Sequence, residues 1–371
     1  MLGSVLRIGI VGCGDVLPRH YLPGIETRAD HVAITALADP RPGAAEGVAG
    51  AIEAWSPGAR TYGDPDEMLR SESLDGVFNL TPAPLHGPVN RAILEAGVAC
   101  FSEKPLAATL ADADALVELA DRKGTLFLCA PGSAVETRVR WLKDLADSGR
   151  FGRPTLVVAH HADPGPAAWR EYTGDPTPFY REGVGPVFDH GVYRLHEMTA
   201  LLGPVRREQA MGSIAIARRR IRGGPLQGKT IEVTTPDHVL IHLEFASGAL
   251  GQLLASFGTP DTLAPWLEVH LERGVVSFGG KSWELDAPVN IYTDDETDAA
   301  LEGWAHNAEV PRDEFGTVEL GARQFIACLL GEETPILTAE HARHVLDVIL
   351  KAYASIEDGR AHETETTFEP L

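Results

Sequence analysis

Three short stretches carry residue types that could together perform hydride chemistry. The apolar run Leu6–Val11 ends in Gly12-Cys13-Gly14-Asp15-Val16, a glycine turn whose backbone could approach a pyrophosphate lying on a helix N-terminus. Glu103-Lys104-Pro105 follows a second apolar run, Val98 to Phe101, and sets an ammonium where a strand stops. Asp189, His190 and Tyr193 sit within one helical turn. Dehydrogenation of a secondary alcohol needs a base for the hydroxyl proton while the adjacent carbon gives hydride to a nicotinamide. A phenol with a pKa near 10 is a poor base at neutral pH, but a neighbouring ammonium favours its phenolate. Lys104 supplies such an ammonium, and Asp189, one helical turn before Tyr193, could orient a partner or bind a substrate hydroxyl. His190 is a rival base suited to neutral pH, ranked second because its neighbouring position points it elsewhere on a helix. The structural alternative makes Asp189 a helix cap and Tyr193 a packing residue.

Further positions belong around these. Asp39 closes the run Val32–Ala38 at the chain distance where an acidic residue binds the ribose 2′-hydroxyl, and Arg41 could instead receive a 2′-phosphate. NAD is favoured, with NADP left open. Leu80-Thr81-Pro82 ends the next run, so Thr81, Pro82 and His86 fall at the carboxyl edge beside the nicotinamide half. Trp169, Arg170, Tyr172, Phe179 and Tyr180 occupy a Pro-rich loop with polar-tipped rings suited to a carbohydrate pocket. Of these, Tyr172 and Tyr180 join Lys104, Asp189, His190 and Tyr193 as substrate candidates.

The elements that must position these residues fall into two patterns. Runs at Leu6–Val11, Val32–Ala38, 76–80, 98–101 and 125–129 alternate with helical segments at 91–96 and 110–123, which implies a doubly wound parallel sheet. After residue 131 comes a helix over about 134–147. Longer alternating runs follow at 155–159, 209–217, 239–245, 249–257, 267–271 and 275–278, and they imply an open, mainly antiparallel sheet. Helices are expected over 192–202, 316–330 and 339–355. The fold class is α/β followed by α+β: a Rossmann domain over residues 1–131 and a substrate and oligomerisation domain over 132–371, whose late helices could pack back on the first. An open sheet face needs a cover, and a homodimer or homotetramer would provide it.

Composition narrows the classes. The 371 residues, 44% hydrophobic, suffice for two cores. A net charge of −21 argues against nucleic acid and anionic membrane partners. Arg218-Arg219-Arg220 with Arg222 is the one basic cluster, read as a solvated or subunit-contact strand with no assigned function. Cys13, Cys100, Cys129 and Cys328 lack CxxC spacing and read as buried free thiols in a reducing compartment. Met1 passes almost directly into the first strand, and no apolar run reaches membrane-spanning length, so a cytoplasmic enzyme is expected. His160 and His161 face opposite ways on a strand, and no metal site is expected.

Four ordered motifs resemble the Gfo/Idh/MocA oxidoreductases: the glycine turn, the TPxxxH pattern at Thr81 to His86, Glu103-Lys104-Pro105, and Trp169-Arg170 followed by a glycine-rich turn and Asp189-His190-Gly191. The resemblance covers nearly the whole chain. It implies a dehydrogenase acting on a sugar, cyclitol or related polyol, with Arg170 and Trp169 close to the cofactor. Tyr193 stands where most of the family has histidine, and His196 where it has aspartate; a tyrosine there is similar to the branch of glucose-fructose oxidoreductase and dimeric dihydrodiol dehydrogenase, which implies the acid-base role. Two alternatives remain open from the family: a lyase or glycosidase using transient oxidation, and a non-catalytic NAD-binding regulator.

Overall fold

The computed structural model describes residues 5–281, 283–294 and 302–370. The chain's start at residues 1–4, read above as passing almost directly into the first strand, and its last residue, 371, lie outside them. Two compact units emerge: 1–136 with 315–346, and 137–314 with 347–371.

In the first unit six parallel strands take the order β3-β2-β1-β4-β5-β6. They are β1 (Leu6–Val11), β2 (Val32–Ala38), β3 (Arg60–Tyr62), β4 (Gly76–Asn79), β5 (Ala99–Ser102) and β6 (Phe127–Cys129). The order reverses between β1 and β4, the switch point at which such sheets bind ligands beyond their carboxyl ends. β4 and β5 are buried on every residue, hence their unbroken apolar reading. Strand β3 escaped the sequence reading because its three residues, Arg-Thr-Tyr, are partly exposed and carry no apolar run.

Helix Thr317–Leu329 completes this core. The Phe325 ring meets Phe78 of β4 edge-on at 5.0 Å and Phe101 of β5 at 5.7 Å. Gly76 makes the approach possible, since a Cβ there would lie 2.8 Å from Leu329. Residues 315–346, part of the stretch whose late helices could pack back on the first domain, belong with the first unit.

Among the described residues, the second unit is built on nine strands in the order β16-β15-β14-β13-β7-β12-β11-β8-β17. In chain order these are β7 (Pro154–Ala162), β8 (Val205–Ser213), β11 (His238–Phe245), β12 (Leu250–Ser256), β13 (Leu267–Leu271), β14 (Gly274–Phe278), β15 (Val289–Thr293), β16 (Gly303–Ala305) and β17 (His362–Glu363). A separate ribbon pairs β9 (Arg218–Arg220) with β10 (Thr230–Glu232). Every pairing in the large sheet is antiparallel except β12 with β7, which run side by side in the same direction. The strand expected over 209–217 begins earlier and ends at Ser213, where the chain turns toward the ribbon. Helix Val192–Leu202 packs on β7 and β12 and is buried almost throughout.

Candidate functional site

The glycine turn fits a dinucleotide. Gly12 has a φ of 96°, and a Cβ on it would fall 2.6 Å from the Leu80 carbonyl oxygen, so only glycine lets β1 end this close to β4. At Gly14 the nearest atom to a Cβ would be an Arg41 nitrogen 3.8 Å away, which leaves that face open. Asp15 and Val16 lead into a π-helical turn, Leu17–Tyr21, continued by helix Leu22–Glu26. The first amides of this turn go to the Gly14 and Asp15 carbonyls, and Pro18 has none, so an anion would face the backbone of Gly14 to Val16 that leads into it. Cys13 gives its amide to Asp39 Oδ2 at 2.9 Å, while burial and then the Asp39 charge push its thiol up to about 12.

Asp39 is buried at the end of β2 and clamped. Arg41 Nε lies 2.9 Å from Oδ1 and Nη2 2.8 Å from Oδ2, a fork across both oxygens. That guanidinium, above all, holds the carboxyl below the usual range. The two residues expected to read alternative cofactors therefore form one unit, in which the exposed Arg41 covers the carboxylate.

At the edge formed by β4 and β5 a buried polar network takes over. Asn79 Oδ1 accepts from the Thr81 hydroxyl at 2.6 Å, and its Nδ2 donates to Asn90, which in turn donates to Ser102. His86, expected at the cofactor, is 1% exposed. Its Nδ1 lies 2.6 Å from the Pro105 carbonyl oxygen and its Nε2 2.7 Å from that of Thr81. With both nitrogens engaged by backbone, His86 is a staple between the loops after β4 and β5; Pro82, by contrast, stands exposed. Glu103 accepts from the Tyr21 hydroxyl at 2.7 Å and from the Lys104 amide at 2.8 Å. Lys104, half-buried, is thus presented from a backbone fixed at Glu103 and again at Pro105, across a cis peptide.

In the second unit the parallel pair β7 and β12 ends in register at Ala162 and Ser256, so Asp163 and Phe257 leave the sheet at one edge. Over that edge lies a second π-helical turn, Val187–Gly191, continuous with helix Val192–Leu202. Such turns recur at functional sites because they re-aim side chains without ending the helix. Gly191 sits against Ala255 and Leu253 of β12. The wider turn carries His190 into an aromatic stack: its ring lies 4.0 Å from His161 and 5.5 Å from Trp169, both nearly parallel, with Phe257 edge-on at 5.1 Å. Asp189 Oδ2 is 3.3 Å from His190 Nε2, and Asp163 Oδ1 is 3.9 Å from Nδ1.

Tyr193 is half-buried, its ring 6.2 Å from that of His161. His161 therefore neighbours both candidate bases, a place its sequence context did not signal. The expectation that His190 points elsewhere on the helix gives way to this shared neighbour. His160, one residue earlier, turns instead to the Pro265 carbonyl at 2.9 Å.

Trp169 and Tyr172 meet edge-on at 6.0 Å, and Tyr172 meets Phe179 similarly. Arg170 is exposed. Tyr180 departs from its expected place at the substrate. It is fully buried with Phe257, Ile221, Ile231 and Val233, its hydroxyl accepts the Ala167 amide at 3.0 Å, and burial pushes that hydroxyl up to about 12. His196, where the resemblance expected an aspartate, is buried within the helix.

Comparison with known proteins bears on the family and the fold. Residues 6–130 match the oxidoreductase family with an NAD-binding Rossmann fold, and residues 139–277 match the Gfo/Idh/MocA C-terminal domain. D-xylose 1-dehydrogenase [NADP(+)] of Haloarcula marismortui is 25% identical over 83% of this chain and 78% of its own. The scyllo-inositol 2-dehydrogenase (NAD(+)) of Bacillus subtilis is 26% identical over 69% of this chain and 68% of its own. In fold, the chain is similar to an NAD binding oxidoreductase from Klebsiella pneumoniae, with a TM-score of 0.81 at 20% identity across 98% of this chain and 99% of that one. With a dinucleotide-binding sheet in one unit and a mixed sheet in the other, each matched in turn, the chain belongs to the Gfo/Idh/MocA family of NAD(P)-dependent oxidoreductases.

Proposed function

We propose that the chain transfers hydride between NAD(P) and the secondary alcohol or ketone of a sugar, cyclitol or related polyol. The observation that carries this is the presentation of Lys104: a lysine at the carboxyl end of β5, its backbone fixed by Glu103 and by the His86 staple, on a sheet whose glycine turn accepts a dinucleotide. The xylose and inositol dehydrogenases among the relatives support a polyol as substrate.

Roles are assigned residue by residue. When bound, the nicotinamide supplies the hydride acceptor or donor. Gly12 to Val16 receive the pyrophosphate, and Asp39 with Arg41 read the ribose. Thr81 and Pro82 line the edge beside Lys104, which contributes positive charge. In the second unit Tyr193 takes or returns the hydroxyl proton, Asp189 binds a hydroxyl or steadies His190, Tyr172 flanks the substrate, and Trp169 and Arg170 contribute to the cofactor site. NAD is the preferred cofactor, because a carboxylate at position 39 disfavours a 2′-phosphate.

We further place the enzyme in the cytoplasm, on its four free cysteines and on the absence, among the described residues, of any helix long and apolar enough to cross a membrane. A homodimer or homotetramer would cover the open sheet face, where Met211 is 74% and Leu250 55% exposed.

The test is a screen for cofactor reduction with sugars and cyclitols, followed by Lys104→Ala and Tyr193→Phe. Lys104→Ala should lose turnover while still binding NAD+, and near-wild-type turnover would overturn its role. If Tyr193→Phe keeps full activity, the proton passes through His190 instead.

A further inference from the structure

One residue of the arginine ribbon departs from the solvated or subunit-contact strand its composition implied, while Arg218, Arg220 and Arg222 are exposed. Arg219 is 8% exposed, with Nη2 2.7 Å from Asp237 Oδ2, Nη1 3.3 Å from the Pro164 carbonyl oxygen, and a buried Nε that meets no hydrogen-bond partner among the described residues. Asp237, itself fully buried, also accepts the amides of Ala215 and Ile216. Arg218 pairs across the ribbon with Glu232 at 2.9 Å. Two of the four arginines are thereby neutralised. Arg220 and Arg222 have no acidic partner among the described residues, so two positive charges remain in a chain whose net charge is −21.

All four arginines line an open cavity of about 230 Å³, together with Pro164, Ala167, Ala168, Ile216, Gly258 and Pro260. Its walls are the chain neighbours of the aromatic site. Pro164 follows Asp163, Ala168 precedes Trp169, and Gly258 follows Phe257, so the same three segments that surround His190 also form this cavity. The attachment is tight. Arg222 donates its amide to the Ala167 carbonyl at 2.8 Å. A Cβ at Gly223 would fall 2.1 Å from the Arg170 carbonyl oxygen, and one at Gly224 2.3 Å from that of Tyr172. The glycine pair therefore lets the ribbon lie directly on the backbone of the loop that carries Trp169 and Tyr172.

We infer that this cavity is an oxyanion subsite, with Arg220 and Arg222 receiving the carboxylate or phosphate of an acidic sugar. A guanidinium presents a planar fork of donors that two oxygens of a carboxylate or phosphate accept together. This deepens the polyol reading by adding a charge to the substrate, and it rests on that reading only for turnover, since anion binding can be measured without it.

The experiment is a calorimetric titration of the full chain with inorganic phosphate, D-glucuronate, D-glucose 6-phosphate and D-glucose, repeated on Arg220→Gln, Arg222→Gln and the double variant, with melting temperature and sedimentation recorded for each. Both side chains are exposed, so the variants should melt like wild type. At least one anionic probe should bind more tightly than glucose and lose about tenfold to a hundredfold in the double variant, the range for hydrogen bonds to a charged group. Binding by the two phosphates alone assigns a phosphate, and binding by glucuronate alone a carboxylate. Anions that bind no better than glucose, or equally well to the double variant, overturn the inference. So does a double variant that dissociates an oligomer with anion affinity unchanged, which makes the ribbon a subunit contact. A chain that binds anions through Arg220 and Arg222 yet reduces no cofactor would instead sink the dehydrogenase reading and leave this one standing.

Discussion

His86 Nδ1 lies 2.6 Å from the carbonyl oxygen of Pro105, while the other nitrogen of the same ring holds the Thr81 carbonyl, so one buried imidazole ties together two loops that leave neighbouring parallel strands. The residue next to Pro105 is Lys104. Its placement depends on a side chain eighteen positions earlier that need touch neither cofactor nor substrate.

Replacing His86 with Ala should therefore act through position. Misplacing a reacting group by about 1 Å can cost on the order of a hundredfold in rate, so kcat should fall by roughly that factor while the KM for NAD+ holds. Steady-state kinetics on the folded variant decides it. A loss confined to KM would make His86 a cofactor contact instead.

The Arg41 fork over Asp39 sets up a cofactor test. Removing the guanidinium in Arg41→Ala leaves the two carboxylate oxygens with only the backbone amides of residues 13 and 41, opening them to ribose hydroxyls, and takes away the nearest counter-charge for a 2′-phosphate. The ratio of kcat/KM for NAD+ over that for NADP+ should rise about tenfold, the effect of roughly 1.4 kcal/mol. Parallel assays with the two cofactors measure it, and a ratio that falls would assign Arg41 to NAD+ binding.

Glu208 offers a pH-dependent signature in the second unit. Burial first, and Asp347 second, push its carboxyl up to about 9 from an ordinary value near 4.5. Between these values the folded chain keeps a proton that the unfolded chain releases, so stability falls as pH rises through the window. Glu208→Gln should remove that slope, matching wild type near pH 5 and melting several degrees higher near pH 8, where ~1 kcal/mol is worth about 2–4 °C. Melting curves that stay parallel across the window would show that Glu208 titrates normally.

Phe325 should be the costliest single truncation in the first unit. It packs edge-on against Phe78 and beside Phe101, and is fully buried. Phe325→Ala should cost about 3–5 kcal/mol, read as a lower denaturation midpoint for the unit. A loss below ~1 kcal/mol would mean that helix Thr317–Leu329 contributes little to the core.

What the sequence revealed tracks the range of the interactions involved. The alternation that marked β1, β2, β4 and β5, the glycine turn, Asp39 and Lys104 are local patterns, each confined to a few residues and their immediate successors. The buried state of Arg219 was not legible, because it is set by Asp237 and Pro164, the latter 55 positions away. His161 was passed over for a similar reason: its partner His190 lies 29 positions later, and only a π-helical turn brings the two rings together. Tyr180 looked like its loop neighbours in composition, yet one backbone amide and a ring of aliphatic side chains draw it inside.

The parallel run of β7 beside β12 has a consequence beyond the site it supports. Two stretches of chain depart from the same rim, next to each other, and neither is constrained by a hairpin that would tie its length to the ladder behind it. Loops there can be lengthened, shortened or exchanged while the strands keep their register. The second unit is in this sense a socket with a replaceable rim, in which new recognition can arise without rebuilding the sheet.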